Sequence, residues 1–264
     1  MTAPRSTPES TPQILPLELD GVCFDAGGNR LIKDISLRFE PGLRTVVIGP
    51  NGAGKSLFLR LCHGLLRPTQ GSVRWQLGSS AARHQAMVFQ RPVMLRRSVT
   101  ANIDYALKLR KVPRRDRADI IDRVLQQTGL RRHADQPARV LSIGEQQKLA
   151  LARAWALQPQ VLFLDEPTAS LDPAATHGVE EIIQAIHDAG TRIIMTTHDL
   201  GQARRLADEV IFINRGRILE RAPAERFFEA QENDLARAFV RGELLWWHKG
   251  KDNRKQIPKP KEDI

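Results

Sequence analysis

The run Gly49-Pro50-Asn51-Gly52-Ala53-Gly54-Lys55-Ser56 places glycines, a lysine and a hydroxyl at spacings suited to holding phosphate. It fits the pattern G-x-x-x-x-G-K-[ST]. Glycines let the backbone turn tightly, so that successive N–H groups converge on one anion. The N-terminus of a following helix adds its positive dipole end. Lys55 can then reach the β- and γ-phosphates of a nucleotide, and Ser56 can offer its hydroxyl to Mg²⁺. The phosphate-facing set runs from Gly49 through Leu57. A second chemical group follows downstream, where Val161-Leu-Phe-Leu164 ends in Asp165 and Glu166. In open α/β sheets, ligands bind at the C-terminal ends of strands. There Asp165 can hold Mg²⁺ or its water, and Glu166 can polarise an attacking water as a general base. Alone, the pair also fits a strand that ends in two solvated acids; the upstream glycine-rich loop favours the chemical reading.

These groups need a scaffold, and the chain supplies its pattern. Apolar runs recur at Thr45–Ile48, Ala86–Phe89, Val161–Leu164, Ile193–Met195 and Val210–Ile213. Fully apolar short runs separated by helical segments indicate a buried parallel sheet with helices on both faces. Leu17–Leu19 and Ile35–Phe39 alternate instead, with breaks at Gly27-Gly28 and Pro41-Gly42, which indicates an attached antiparallel layer. Between about 92 and 158 the pattern is helical, at Val99–Arg110, Asp116–Thr128 and Glu145–Leu157. This stretch is expected to form a helical subdomain inserted between two halves of the core, and short helical pieces are expected near 224–242. The polar, Pro/Ser/Thr-rich residues 1–15 read as a disordered lead, and the basic residues 243–264 as a disordered tail.

Composition narrows the class. The chain has 264 residues, is 41% apolar and carries a formal charge of +10. No apolar run approaches the roughly 18 residues of a membrane span, and the N-terminus lacks the apolar region of a secretory signal. Cys23 and Cys62 have no metal-like spacing and read as buried thiols. A cytoplasmic protein is expected. Basic residues are spread along the sequence without a nucleic-acid-binding motif, so a membrane-facing surface accounts for them better than nucleic acid. Trp246 and Trp247, followed by basic residues, either touch a membrane interface or pack on the domain.

Leu141-Ser142-Ile143-Gly144-Glu145, followed by Gln146-Gln-Lys-Leu-Ala-Leu-Ala-Arg153, closely resembles the signature of ATP-binding-cassette (ABC) ATPases when read with the two motifs above. Gln90 resembles that family's Q-loop glutamine, Ser170-Leu171-Asp172 its D-loop and His198 its switch histidine. The resemblance covers about residues 16–222. It implies a P-loop NTPase fold with a RecA-like parallel core, an antiparallel β subdomain and a helical subdomain. It also implies two cassettes packed head to tail as a homodimer, with each ATP between the P-loop of one and Ser142, Gly144 and Glu145 of the other. Asp172 would border the nucleotide, Gln90 would sense Mg²⁺, and His198 would contact the γ-phosphate.

Two departures stand out. Ile143 occupies a position where the signature usually has glycine, and a β-branched residue does not readily take φ > 0. If that conformation is required, the second phosphate cradle is weakened. Ala26 stands where an aromatic usually stacks on adenine; Phe24, two residues earlier, reads equally as its substitute or as a core residue. The resemblance further implies an importer's ATPase subunit, peripheral on the inner face of the membrane. Its partners would be permease subunits and, indirectly, an external binding protein. Pro92, Val93, Met94 and Leu95 would form the groove for the permease. The wording of the chain is most similar to tungstate-type importers, with molybdate and phosphate close behind. The alternatives are another cargo, a nontransport cassette and a nucleotide-gated clamp.

Overall fold

The computed structural model describes residues 13–243. Strands β1 (Leu17–Ala26) and β2 (Asn29–Phe39) form an antiparallel hairpin. Its turn is Gly27-Gly28, both at positive φ (56° and 75°), the backbone a tight hairpin turn requires. β3 (Arg44–Ile48) leads into α1 (Lys55–His63), and β4 (Gln70–Trp75) returns to pair with β1. β5 (Gln85–Val88) precedes the helices α2 (Val99–Leu109), α3 (Arg114–Gln127) and α4 (Ile143–Trp155). The second half alternates: β6 (Val161–Asp165), α5 (Pro173–Asp188), β7 (Arg192–Thr196), α6 (Leu200–Leu206) and β8 (Glu209–Asn214). β9 (Arg217–Pro223), α7 (Ala224–Glu229) and α8 (Asp234–Val240) close the described chain.

The main sheet has the order β5-β6-β7-β3-β8-β9, parallel except for β9. The smaller antiparallel sheet is β2-β1-β4. In the central strands, neighbouring residues bury on opposite faces. Val46, Ile193, Met195, Val210 and Phe212 join the core beneath α4 and α5, whereas Val47, Ile194, Ile211 and Ile213 join the core shared with α1 and the small sheet. This two-sided burial is why these strands read as continuous apolar runs, each such side chain contributing about 1.5–3 kcal/mol.

β4 and β9 were not among the expected strands. Both are edge strands with few apolar residues, so neither carries a clear hydrophobic period. Cys23 and Cys62 are buried and free. The expected lead, residues 1–15, meets the described chain only at 13–15, where Ile14 and Leu15 are buried. Ile14 N donates to Gln160 Oε1 at 3.0 Å. Residues 1–12 and the tail from 244, including Trp246 and Trp247, lie outside the described residues.

Two charge clusters fix the strand ends away from the phosphate loop. Arg192 is 2% exposed; its Nη2 donates to Thr45 Oγ1 at 2.8 Å, and its guanidinium lies over the Phe39 ring. Burial lowers its pKa to about 10. Asp208 receives the Arg44 backbone N–H at 2.7 Å and its guanidinium at 2.6 and 3.0 Å. Burial alone would raise the Asp208 pKa, but the Arg44 hydrogen bonds outweigh it and hold the carboxyl below its ordinary value. Its stabilising effect is therefore complete above the unfolded pKa and is lost as pH falls through the lower folded pKa. Asp208→Asn should cost about 1–3 kcal/mol at neutral pH. Urea titrations should show the gap from wild type closing below about pH 4.

Candidate functional site

The site lies where β3 and β6 end. Gly49 leaves β3 at φ 153°, and a Cβ there would stand 2.0 Å from the Ile213 carbonyl oxygen, so only glycine fits. Gly54 caps α1 at φ 104°. The loop is tied down from outside: Gly216 N donates to Ala53 O at 2.8 Å, and Lys33 N donates to Gly216 O at 2.8 Å. The β8–β9 turn thus links the loop to β2. Asn51 and Gly52 are exposed and Pro50 is half-buried, while Ala53 is buried and Leu57 packs against the core under the small sheet.

Lys55 is 5% exposed. Its Nζ donates to Gly49 O at 2.9 Å and Pro50 O at 3.4 Å, and lies 3.3 Å from Glu166 Oε1. The other Glu166 oxygen faces His198 Nδ1 at 3.1 Å. Three residues from three segments therefore form one row, Lys55–Glu166–His198. Glu166 is held at φ 45°, a left-handed conformation uncommon for a non-glycine residue. Its N–H is bound by both Thr196 O (3.2 Å) and Thr196 Oγ1 (3.0 Å).

Asp165 ends β6 at 3% exposure. Its Oδ1 accepts from Ser56 Oγ at 2.7 Å and from Thr196 Oγ1 at 3.0 Å. Two hard oxygens, a carboxylate and a hydroxyl, thus meet beside the phosphate loop. That donor set fits Mg²⁺, which takes one or two protein oxygens and completes its shell with water and phosphate. Among the described residues no group of three or more His, Cys, Asp and Glu could hold a metal ion. Gln90 is exposed, two residues past β5, which pairs in register with β6.

The signature residues stand apart from this row. Among the described residues no hydrogen bond or ion pair joins Ser142 or Glu145 to residues 49–57. Ser142 is the N-cap of α4 and Ile143 its first helical residue. Ile143 is not among the positive-φ residues and is 64% exposed, so no glycine-type backbone is required of it. Gly144 is the constrained position, since a Cβ there would stand 2.9 Å from Ala175 Cβ on α5. Asp172 caps that helix, accepting from Ala175 N at 2.9 Å, so the N-termini of α4 and α5 lie side by side. Ala26 is exposed at the end of β1, while Phe24 is half-buried and packs against the core under the small sheet.

The motif reading missed Thr196. It precedes His198 by two residues, but its contacts with Asp165 and Glu166 depend on the β6–β7 register, in which Asp165 stands opposite Thr196.

A family model described as ABC transporter matches residues 32–169. The phosphate import ATP-binding protein PstB 2 of Natronomonas pharaonis is 34% identical over 249 residues, covering 87% of this chain and 88% of that protein. The tungstate uptake system ATP-binding protein TupC of Peptoclostridium acidaminophilum is 38% identical over 205 residues, covering 76% of this chain and 94% of that protein. Among solved structures, cbiO1 from Clostridium perfringens, described as part of the ABC transporter complex cbiONQ, superposes with a TM-score of 0.74. It is 25% identical and covers 87% of this chain and 96% of its own.

Proposed function

The chain belongs to the ABC transporter family, and from that premise we propose that it is the cytoplasmic ATP-hydrolysing subunit of an anion importer. The observation that carries the hydrolytic reading is the row Lys55–Glu166–His198 beside the Ser56–Asp165 oxygen pair. Lys55 is neutralised by Glu166 and two loop carbonyls. A nucleotide phosphate in the loop takes over as the partner of Lys55, which frees Glu166 to accept a proton from water. His198 faces the Glu166 carboxylate from the other side and would meet the γ-phosphate. Ser56 and Asp165 would hold Mg²⁺, with Gln90 reporting on it; the ion would neutralise phosphate charge.

The separation of Ser142 from the phosphate loop supports a homodimer in which α4 of one subunit completes the site of the other. The N-terminus of a helix attracts anions, and Ser142, Gly144 and Glu145 lie at that of α4. Closure would join the two half-sites, and hydrolysis would release them.

The permease surface is a groove of about 510 Å³ between β5 and the helical subdomain, lined by Met87, Phe89, Val93, Leu95, Tyr105 and Leu109, among others. Pro92 lines it too, whereas Met94 is buried in the core. Val93 is 75% and Leu109 67% exposed, an apolar patch suited to a partner. No helix of the described residues is long and apolar enough to cross a membrane; permease subunits and, beyond them, an external binding protein are the proposed partners.

Tungstate is the proposed cargo, with phosphate and molybdate as alternatives; relatives named for phosphate and for tungstate both align over most of this chain. Tungsten, molybdenum and phosphorus should be measured in cells with and without the chain at trace external supply. Selective loss of tungsten, restored by wild type but not by Glu166→Gln, is the expected outcome. Loss of phosphorus or molybdenum instead would reassign the cargo, and no change in any of the three would remove oxyanion import.

A further inference from the structure

Thr196 ends β7, is fully buried and stands opposite Asp165 in the β6–β7 register. Its side chain bridges the two acidic residues at the end of β6. The Thr196 hydroxyl lies 3.0 Å from Asp165 Oδ1, and the Glu166 backbone N lies 3.0 Å from the same hydroxyl oxygen. The direction of both bonds is forced. An ionised carboxylate only accepts and a backbone N–H only donates. The single hydroxyl hydrogen therefore points at Asp165, and the hydroxyl oxygen accepts from Glu166. Asp165 Oδ1 also accepts from Ser56 Oγ at 2.7 Å. One line of hydrogen bonds thus runs from the first turn of α1 through Asp165 and Thr196 to the main chain of Glu166.

Glu166 needs such a hold. Its φ of 45° is a left-handed conformation that a residue with a side chain keeps only where its surroundings over-determine it. Its N–H also reaches Thr196 O, at 3.2 Å. Its carboxylate faces Lys55 Nζ at 3.3 Å and the exposed His198 at 3.1 Å. A nucleotide phosphate that takes over Lys55 withdraws one of these two side-chain partners. The bridge through Thr196 lies beneath the site and is untouched by that exchange.

We propose that Thr196 is a positioning residue for ATP hydrolysis, its hydroxyl tying the main chain of Glu166 to Asp165 and so holding the Glu166 carboxylate in place for the attacking water once Lys55 has turned to phosphate. The inference rests on Glu166 as the base, the reading given under Proposed function. Valine has the shape of threonine and the same preference for a strand, but it neither donates to Asp165 nor accepts from Glu166. Serine keeps both bonds and lacks only the methyl group.

The test compares kcat and the binding of labelled ATP in the full chain carrying Thr196→Val or Thr196→Ser. Thr196→Val should lower kcat about tenfold, the effect of one lost hydrogen bond at a buried N–H. Its ATP affinity should stay within about twofold of wild type, because Lys55 and the loop are intact, and this also shows that the variant is folded. Thr196→Ser should stay within about twofold of wild type in both measurements. The reverse order, with Thr196→Ser impaired and Thr196→Val normal, would assign Thr196 to packing and overturn the proposal. Equal losses of ATP affinity and kcat in Thr196→Val would overturn it too. In a Glu166→Gln background, slow single-turnover phosphate release should be the same with threonine or valine at 196, since the group being positioned is gone. A tenfold effect that persists there would place the role of Thr196 elsewhere. If Glu166→Gln is slow and Thr196→Val has a normal kcat, only the positioning role fails. If Glu166→Gln itself turns over like wild type, the reading of Glu166 as base falls and takes this inference with it.

Discussion

Glu166→Gln is expected to lower steady-state ATP turnover by about 10²–10⁴-fold while leaving ATP binding intact. Glutamine keeps the size of the side chain and the left-handed backbone at 166, which the Thr196 oxygens hold through the main-chain N–H rather than through the carboxylate. It also keeps an oxygen that can accept from Lys55, 3.3 Å away in the structure. What it loses is the capacity to take a proton from water. Lys55 also loses its carboxylate counter-charge, so ATP affinity should be equal to or higher than in wild type. Binding of labelled ATP and single-turnover phosphate release, measured on the same preparation, separate the two effects. Turnover near wild type would exclude Glu166 as the base.

Lys55→Ala is expected to act at the other step, weakening ATP binding by about 100-fold or more, with turnover falling in consequence. Lys55 is 5% exposed and has three oxygen partners, Gly49 O, Pro50 O and Glu166 Oε1. Its removal takes away a lysine seated in the loop and, among the described residues, leaves the Glu166 carboxylate facing His198. The unpaired carboxylate should also cost about 1–3 kcal/mol of stability. Lys55→Met retains most of the volume without the charge and serves as the control. Loss of binding in both variants assigns the effect to the charge; retained affinity in Lys55→Met would show that the side chain acts by packing.

The residues of the candidate site were legible because each part sits in a short local pattern. Gly49 to Ser56 encodes its own turn, and positive φ at Gly49, Gly52 and Gly54 is the backbone that those glycines allow. The apolar runs of β3, β6, β7 and β8 were visible because both faces of these strands are buried. β4 and β9 were not, since an edge strand packed on one side leaves little hydrophobic contrast. The concern over Ile143 came from treating a glycine in the signature as evidence for a left-handed backbone. In the structure the spatial constraint falls on Gly144, against Ala175, and Ile143 begins a helix.

By itself, the sequence named the candidate atoms for phosphate, metal and water: the loop amides, Lys55, Ser56, Asp165, Glu166 and His198. Tertiary structure alone decided which of them meet. Ser56 reaches Asp165 across 109 positions of chain, and Thr196 reaches Asp165 across 31. Those meetings depend on the order and register of parallel strands joined through helices. Local propensity does not encode register between distant strands; it follows from packing both sheet faces at once. The same holds for His133 and Glu145, which lie in different elements and meet only because the turn before the signature folds back over the start of α4.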